Sequence, residues 1–299
     1  MHEIKKAVIP LGGLGARMLP ASKVVPKEML TVVDKPIIHY IIEEAAAAGI
    51  EHIIFVTRVG KGALEDYFDS HFELEETLSA KGANSKKQLD SVKFNLPNGV
   101  TISSIRQQFP KGLGHAVLCA EPIVRFEPFA VMLPDVLLRN GLNSNISDMA
   151  RMTDDYRKNG NPLIMAEEVP DELVHQYGII GSEQNAIQAG EFFKMSSVVE
   201  KPEKDEAPSN LAIVGRYVLP PSILPILANQ SPGKGNEIQL TDAILSLMSV
   251  IPFSGYRMSG SSFDCGSKIG LMKANICYGL EHPEIGAELR EYLSEGILD

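Results

Sequence analysis

The groups of this chain best suited to chemistry are three glycines followed by three cations within its first thirty residues. The run Ala7-Val8-Ile9-Pro10-Leu11 leads into Gly12-Gly13-Leu14-Gly15-Ala16-Arg17, with Lys23 and Pro26-Lys27-Glu28-Met29 close behind. Glycines let a backbone come near a ligand and aim several N–H groups at it, which is how a chain cradles phosphate. Arg17, Lys23 and Lys27 add the full positive charges that a polyphosphate requires. The pattern predicts a nucleoside-triphosphate site with the phosphates lying along this loop.

Two other glycine loops fit less well. A P-loop needs four residues between its glycines and then Gly-Lys-Ser/Thr, whereas Gly15 is followed by Ala16-Arg17. The dinucleotide fingerprint needs G-x-G-x-x-G; Gly13-Leu14-Gly15 supplies its first half, but Met18 stands at the third glycine position. Pro20 and Pro26 also predict that no long helix starts directly after the loop. A plain strand-to-helix turn is the bland reading, and the cluster of cations weighs against it.

Charge narrows the ligand class. The chain carries 28 basic and 38 acidic residues, a net charge of −10. Within residues 11–35, however, Arg17, Lys23, Lys27 and Lys35 face only Glu28 and Asp34, so that region is locally positive. A positive cleft in an acidic protein draws small anions without general affinity for nucleic acid. There is no long Lys/Arg run, and aromatics make up 6% of the chain, too few to suggest a stacking platform for bases. Nucleic acid is not an expected partner.

Two further sites stand out. Asp135 follows the apolar run Ala130-Val131-Met132-Leu133-Pro134, so it falls at the carboxyl end of a buried strand, where open α/β sheets bind their ligands. A carboxylate there can hold Mg2+, a hard cation usually shared with substrate phosphates; on spacing alone a helix cap is the competing role. Glu200-Lys201-Pro202 closes the run Ser196-Ser197-Val198-Val199. A glutamate can accept two sugar hydroxyls and a lysine can neutralise a sugar phosphate. Neighbours on a strand point to opposite faces, so both reach one ligand only if the backbone turns there, as Pro202 allows. Taken alone the pair reads as surface charge.

The elements that must position these groups alternate between strand and helix. Ala7–Leu11, His52–Thr57 and Phe129–Leu133 read as strands buried on both faces. Ile37 to Ala48, closed by Gly49, reads as a helix. Val100–Arg106 reads as a strand and His115–Ala120 as a helix start; Leu163–Ala166 and Leu211–Leu219 are strand-like, and the chain turns helical from Lys268. This is a doubly wound α/β pattern. Leu78–Leu89, polar and aperiodic, is expected to be a mobile surface segment. At 299 residues and 44% apolar the chain can bury a large core in one big domain or two intimately joined lobes. Cys119, Cys265 and Cys277 are too few and too scattered for a disulfide framework or a zinc site, and suit buried thiols in a reducing cytoplasm. The amino-terminal apolar run is broken within five residues, so no signal segment or membrane span is expected.

The segment Lys5 to Pro36 resembles the opening of the bacterial UTP–glucose-1-phosphate uridylyltransferases. So, in order, do Arg106-Gln107, Gly112-Leu113-Gly114-His115-Ala116, Leu133-Pro134-Asp135-Val136, Tyr177-Gly178, Val199-Glu200-Lys201-Pro202, Ser209 to Leu219, Asn236 to Ile244, and Asp264-Cys265-Gly266. The resemblance implies one nucleotidyltransferase domain over 1–299, a Rossmann-like doubly wound mixed sheet flanked by helices. Its nucleotide half would cover about 1–135, its sugar half about 136–267, and a helical end about 268–299.

The resemblance also implies roles. Arg17 and Lys27 act on the triphosphate, and Gly12, Gly13, Gly15, Glu28, Gln107 and Gly112 bind the nucleotide. Gly178, Glu200 and Lys201 hold the glucosyl phosphate, while Asp135 and Asp264 hold Mg2+ as the cofactor. Uracil offers two carbonyls and one ring N–H, which a glutamine amide and backbone groups can complement. The implied reaction is in-line uridylyl transfer from UTP to glucose 1-phosphate, in which a phosphate oxygen needs no base; His115 is expected to order its loop. Alternatives are a thymidylyltransferase and a non-catalytic paralogue that binds UDP-sugar. Ala16 and Thr31 depart from a threonine and a proline common in the family. A cytoplasmic homodimer or homotetramer, away from membranes, completes the expectation.

Overall fold

The computed structural model describes residues 3–92, 96–97, 99–141, 146–184 and 186–295, apart from the side chains of 83 and 84. Among these, ten strands form one mixed sheet that runs through both halves of the chain. Its order along the main path is Phe192–Lys194, Ser254–Arg257, Leu163–Glu168, Leu211–Leu219, Phe129–Met132, Lys6–Pro10, His52–Thr57 and Thr101–Arg106. Gly178–Gly181 pairs with Leu211–Leu219 and with the tenth strand, Ser197–Glu200.

The first strand explains the rest. Lys6–Pro10 runs parallel to His52–Thr57 on one side, with Ala7 opposite Ile53, and parallel to Phe129–Met132 on the other, with Ala7 opposite Ala130. The chain winds outward to Thr101–Arg106 and then returns across the first strand, so the carboxyl ends of Lys6–Pro10 and Phe129–Met132 flank a topological switch point. Leu211–Leu219 packs antiparallel beside Phe129–Met132 and joins the second half to the first.

Alternation along the strands divides the core. Ala7, Ile9, Ile53, Phe55, Met132 and Met165 pack with the helix Ile37–Ala47 on one face. Val8, Ile54, Val56, Val131 and Ile164 pack with the helices Leu113–Cys119, Ile223–Asn229 and Leu240–Met248 on the other. A period of two sends successive side chains to opposite layers, which is why these strands are apolar at every position. The doubly wound expectation therefore holds, with antiparallel strands added on one side.

The stretch 78–89 differs from expectation. It lies in the helix Phe72–Ala80, a 3-10 turn Gly82–Ser85 and the helix Lys86–Val92. Neither α-helix buries a side chain, so no apolar stripe marks them in the sequence. Good intrinsic formers such as Glu, Leu, Lys and Gln sustain them, and Glu73 and Glu75 sit favourably in a first turn.

A bulge in Leu211–Leu219 gives the switch point its shape. The register shifts between Ile213 and Tyr217, and Gly215 takes φ +75°. The Gly215 carbonyl accepts from Leu133 N at 2.9 Å, and a methyl on Gly215 would lie 2.7 Å from Leu133 Cγ. Gly215→Ala is therefore expected to cost about 2 kcal/mol or more, from left-handed backbone strain and overpacking together. Urea unfolding at unchanged m-value checks this; an unchanged midpoint would show that the bulge tolerates a side chain.

Candidate active site

The glycine loop leaves the first strand at Leu11, whose N–H donates to Val56 O at 2.9 Å. The chain then makes three separate 3-10 turns, Ala16–Met18, Ala21–Lys23 and Lys27–Met29, as Pro20 and Pro26 require. Lys27 lies across Gly13, and Gly15 receives Ser22 Oγ on its carbonyl at 2.7 Å. A methyl on Gly12 would lie 2.5 Å from Gln107 Oε1. The glycines thus leave room for the side chains that fold over them.

Asp135 and Asp264, far apart in sequence, meet through a two-stranded ribbon. Val136–Arg139 pairs antiparallel with Ser261–Asp264, Asp264 stands opposite Val136, and Cys265 N donates to Asp135 O at 2.8 Å. Each carboxylate holds one of the three expected phosphate cations, and the third, Lys23, is exposed. Lys27 Nζ is 2.5 Å from Asp135 Oδ2, and Arg17 grips Asp264 through Nη1 at 2.7 Å and Nη2 at 3.2 Å. Asp135, Asp264 and Arg17 converge over Gly266, and Lys27 joins them through Asp135. A methyl there would meet Asp135 Oδ2 at 2.5 Å, Arg17 Nη2 at 2.8 Å and Asp264 Oδ1 at 3.0 Å.

Two hard oxygen donors facing one small space fit a divalent cation of the Mg2+ type, which takes one or two carboxylates and completes its shell with water and phosphate. No group of three or more His, Cys, Asp or Glu is poised for a metal among the described residues. Cys265, beside both aspartates, stays a thiol; burial and the two carboxylates push it up to about 12.

The sugar side is assembled at the end of Ser197–Glu200. Glu200 stands opposite Gly178, and its Oε2 accepts from Thr241 Oγ1 at 3.0 Å. Lys201 takes φ +47°, a costly region for a side-chain-bearing residue. Its N–H donates to Tyr177 O at 2.9 Å, and its Nζ comes to 3.5 Å from Glu200 Oε1. The backbone does turn there, and Glu200, Lys201 and Gly178 come together. Tyr177 interacts electrostatically with Asp264 and Arg17, which sets this side against the charged cluster.

On the opposite flank, Gln107 continues the strand Thr101–Arg106, with its N–H on Thr57 O at 2.8 Å. Its amide Nε2 reaches Gly112 O at 3.2 Å and His115 Nδ1 at 3.0 Å. A cavity of about 250 Å3, lined by Arg58, Arg106 and Gln107 among others, opens beside it. A larger cavity, about 490 Å3, lies along the last helix between Ile285, Leu289, Tyr292 and three glutamates. That acidic lining would repel a polyphosphate.

One expected ligand residue is placed differently. Glu28 is fully buried, and its Oε2 accepts from the equally hidden Lys61 Nζ at 2.6 Å. Its carboxylate braces the loop from beneath. Lys61, Thr241 and Gly266 join the site without a role expected for them from sequence. Thr241 falls within the stretch Asn236 to Ile244 and Gly266 within Asp264-Cys265-Gly266, but nothing local marks Lys61.

The fold is that of the nucleotidyltransferases. The sequence model described as nucleotidyl transferase matches residues 6–276, and the chain belongs to that family. It is 48% identical over 295 residues to the UTP–glucose-1-phosphate uridylyltransferase of Escherichia coli strain K12, covering 98% of this chain and 96% of that one. Among solved structures it resembles UDP-glucose pyrophosphorylase from Acinetobacter baumannii, at 49% identity and TM-score 0.90, covering 98% and 99% of the two chains. A UTP-bound structure of that enzyme matches equally well.

Lys61→Met leaves the Glu28 carboxylate buried without its cation, and is expected to cost roughly 3–5 kcal/mol. Adding Glu28→Gln should recover much of this. Chemical denaturation of the single and double variants decides; equal stability of Lys61→Met and the parent would mean that Glu28 finds other compensation.

Proposed function

We propose that this chain transfers the uridylyl group of UTP to glucose 1-phosphate, giving UDP-glucose and pyrophosphate, with Mg2+ as its cofactor. The observation that carries the reading is the meeting of Arg17, Asp135 and Asp264 over Gly266 at the switch point, with Lys27 paired to Asp135. The names of the relatives support this choice of base and sugar. A divalent metal is the general requirement of the family.

A phosphate oxygen of glucose 1-phosphate attacks the α-phosphorus of UTP in line, and pyrophosphate leaves from the opposite side. That oxygen is already anionic near neutral pH, so no side chain need take a proton from it. Positioning and charge neutralisation then dominate the rate. Arg17 and Lys27 exchange their carboxylate partners for phosphate oxygens and neutralise the charge developing on pyrophosphate. Asp135 and Asp264 would hold Mg2+, which supplies a Lewis acid at the phosphoryl oxygens.

Backbone N–H groups of Gly12, Gly13 and Gly15 point at the phosphates, while Gln107 and Gly112 meet the edge of uracil. Glu200 accepts sugar hydroxyls, Lys201 neutralises the sugar phosphate, and Gly178 lets the hexose approach the backbone. Glu28 contributes from beneath the loop.

The shared sheet supports a single catalytic unit made of a nucleotide half, about 1–135, a sugar half, about 136–267, and the helices from about 268. Ile269, Met272 and Ile276, exposed along the helix Lys268–Glu281, support a homodimer or homotetramer. No helix among the described residues is long and apolar enough to cross a membrane. The three cysteines are unpaired, as in a reducing compartment such as the cytoplasm.

Pyrophosphate release from the purified chain with UTP, glucose 1-phosphate and Mg2+ tests the reading, with dTTP and galactose 1-phosphate run beside them. Arg17→Ala and Lys27→Ala are each expected to lower kcat/KM by about 10²–10³ with an unchanged circular dichroism spectrum. Near-normal turnover in both variants sinks the phosphate assignment. Tight UDP-glucose binding without pyrophosphate release marks a non-catalytic binder instead.

A further inference from the structure

Gln107 has both of its amide ends accounted for in an unequal way. A backbone carbonyl can only accept, so the amide atom 3.2 Å from Gly112 O is the NH2 group. The same nitrogen lies 3.0 Å from His115 Nδ1. Both of its hydrogens are then committed, one to each acceptor. Nδ1 must carry a lone pair, which places the ring proton of His115 on Nε2. The other end of the amide, Oε1, accepts from no described residue and lies over Gly12, where a methyl would come within 2.5 Å of it. A nearly buried side chain thus presents one bare acceptor to the glycine loop.

We propose that His115 is a specificity-determining residue that, together with the Gly112 carbonyl, holds the Gln107 amide in the orientation that offers its carbonyl, and not its NH2, to the nucleobase. His115 does not touch the base and acts through Gln107. The inference rests on the reading that Gln107 meets the base. A bare acceptor selects a pyrimidine with a ring N–H at N3, as in uracil and thymine. It disfavours cytosine, whose N3 is itself an acceptor, because two lone pairs would then face each other. The opposite orientation would reverse that preference.

The surroundings keep His115 in the form the lock needs. It sits on the helix Leu113–Cys119, with Cys119 Sγ 3.9 Å from Nδ1 and 4.0 Å from Nε2. Burial and the positive charge of Lys111 push its pKa below the ordinary histidine value, which favours the neutral ring. Backbone bonds to Ile238 fix the start of the helix, with Ile238 O accepting from Gly114 N at 2.8 Å and Ile238 N donating to Lys111 O at 2.7 Å. The backbone that carries the ring is thereby fixed against Ile238.

Two variants separate the lock from mere packing. In asparagine, Oδ1 stands as many bonds from the backbone as Nδ1 does in histidine, so His115→Asn keeps an acceptor at that place. His115→Leu keeps bulk and removes it. The measurement is the ratio of kcat/KM for UTP to that for CTP, backed by calorimetric binding of UDP and CDP. His115→Leu is expected to lower the UTP:CTP ratio by roughly 10-fold, the worth of one hydrogen bond in discrimination, and His115→Asn to hold it within about 3-fold. A purely structural role would depress both nucleotides alike and leave the ratio unmoved, which overturns the proposal.

A third readout needs no variant to fold well. The nitrogen-15 shifts of the His115 ring in the parent protein should report the Nε2–H tautomer, and the Nδ1–H tautomer would overturn the lock. If the parent binds neither UDP nor CDP, the uridylyltransferase reading fails first. If the parent discriminates strongly and His115→Leu discriminates equally, only the role of His115 fails.

Discussion

A guanidinium with no exposed surface sits inside the sheet beside the switch point, and the position of the candidate site depends on how its charge is satisfied. Arg216 donates through Nε and Nη2 to the two oxygens of Glu44 at 2.8 and 2.7 Å. Its remaining bonds go to backbone carbonyls: Nη1 to Leu133 O at 3.1 Å and to Gly215 O at 3.3 Å, and Nη2 to Val136 O at 2.7 Å. Desolvating such a charge costs several kcal/mol, and only good geometry with every donor engaged offsets that cost. The fork meets the condition. Since Leu133 and Val136 bracket Pro134 and Asp135, the guanidinium fixes the turn that presents Asp135. Glu44 belongs to the helix Ile37–Ala47, so one side chain ties that helix, the returning antiparallel strand and the Asp135 turn together.

The same logic of long-range fixation extends to the sugar side. Lys201 holds a left-handed backbone conformation that costs on the order of 1–3 kcal/mol. It persists because Tyr177 O receives its N–H and Lys234 Nζ donates to its carbonyl at 2.6 Å. The outcome is that neighbouring residues of one strand end, Glu200 and Lys201, lie on one side of the chain. A strand continued straight would separate them. The strained turn is what brings the two charges to within 3.5 Å of each other.

Local features of the site are legible in the sequence without the fold. Gly12 to Lys27 stands out through glycines beside cations, and Asp135 through its place after an apolar run. The alternation of Ala7–Leu11 and Phe129–Leu133 with helical stretches points to the doubly wound sheet. What cannot be read depends on partners far off in the chain. The burial of Glu28 is decided by Lys61, 33 residues away, and Thr241 reaches Glu200 across 41 residues. Arg216 leaves a trace, a lone charge after Gly215 in an otherwise apolar strand, but its partner Glu44 lies on a helix whose sequence looks like an ordinary amphipathic surface. The helices covering 78–89 escape for the opposite reason: they pack so little that no periodicity betrays them.

Burial grades the ion pairs around the switch point by their ability to change partners. Arg216 and Glu44 are 0% and 13% exposed, and such a pair cannot open without leaving a charge stranded. Lys27 and Asp135, at 16% and 13%, sit at the edge of that regime. Arg17 and Asp264, at 61% and 30%, lie in it least, and a pair so exposed is worth roughly 0–1 kcal/mol. Arg17 and Asp264 therefore separate at little cost, and Lys27 and Asp135 at a greater one. A polyphosphate arriving with a dication offers the cations an anion and the carboxylates a metal, so all four charges are satisfied again at once. Either component alone would leave two like charges facing it. The buried Arg216–Glu44 pair fixes the place, and the exposed Arg17–Asp264 pair is the one there best able to exchange its partners.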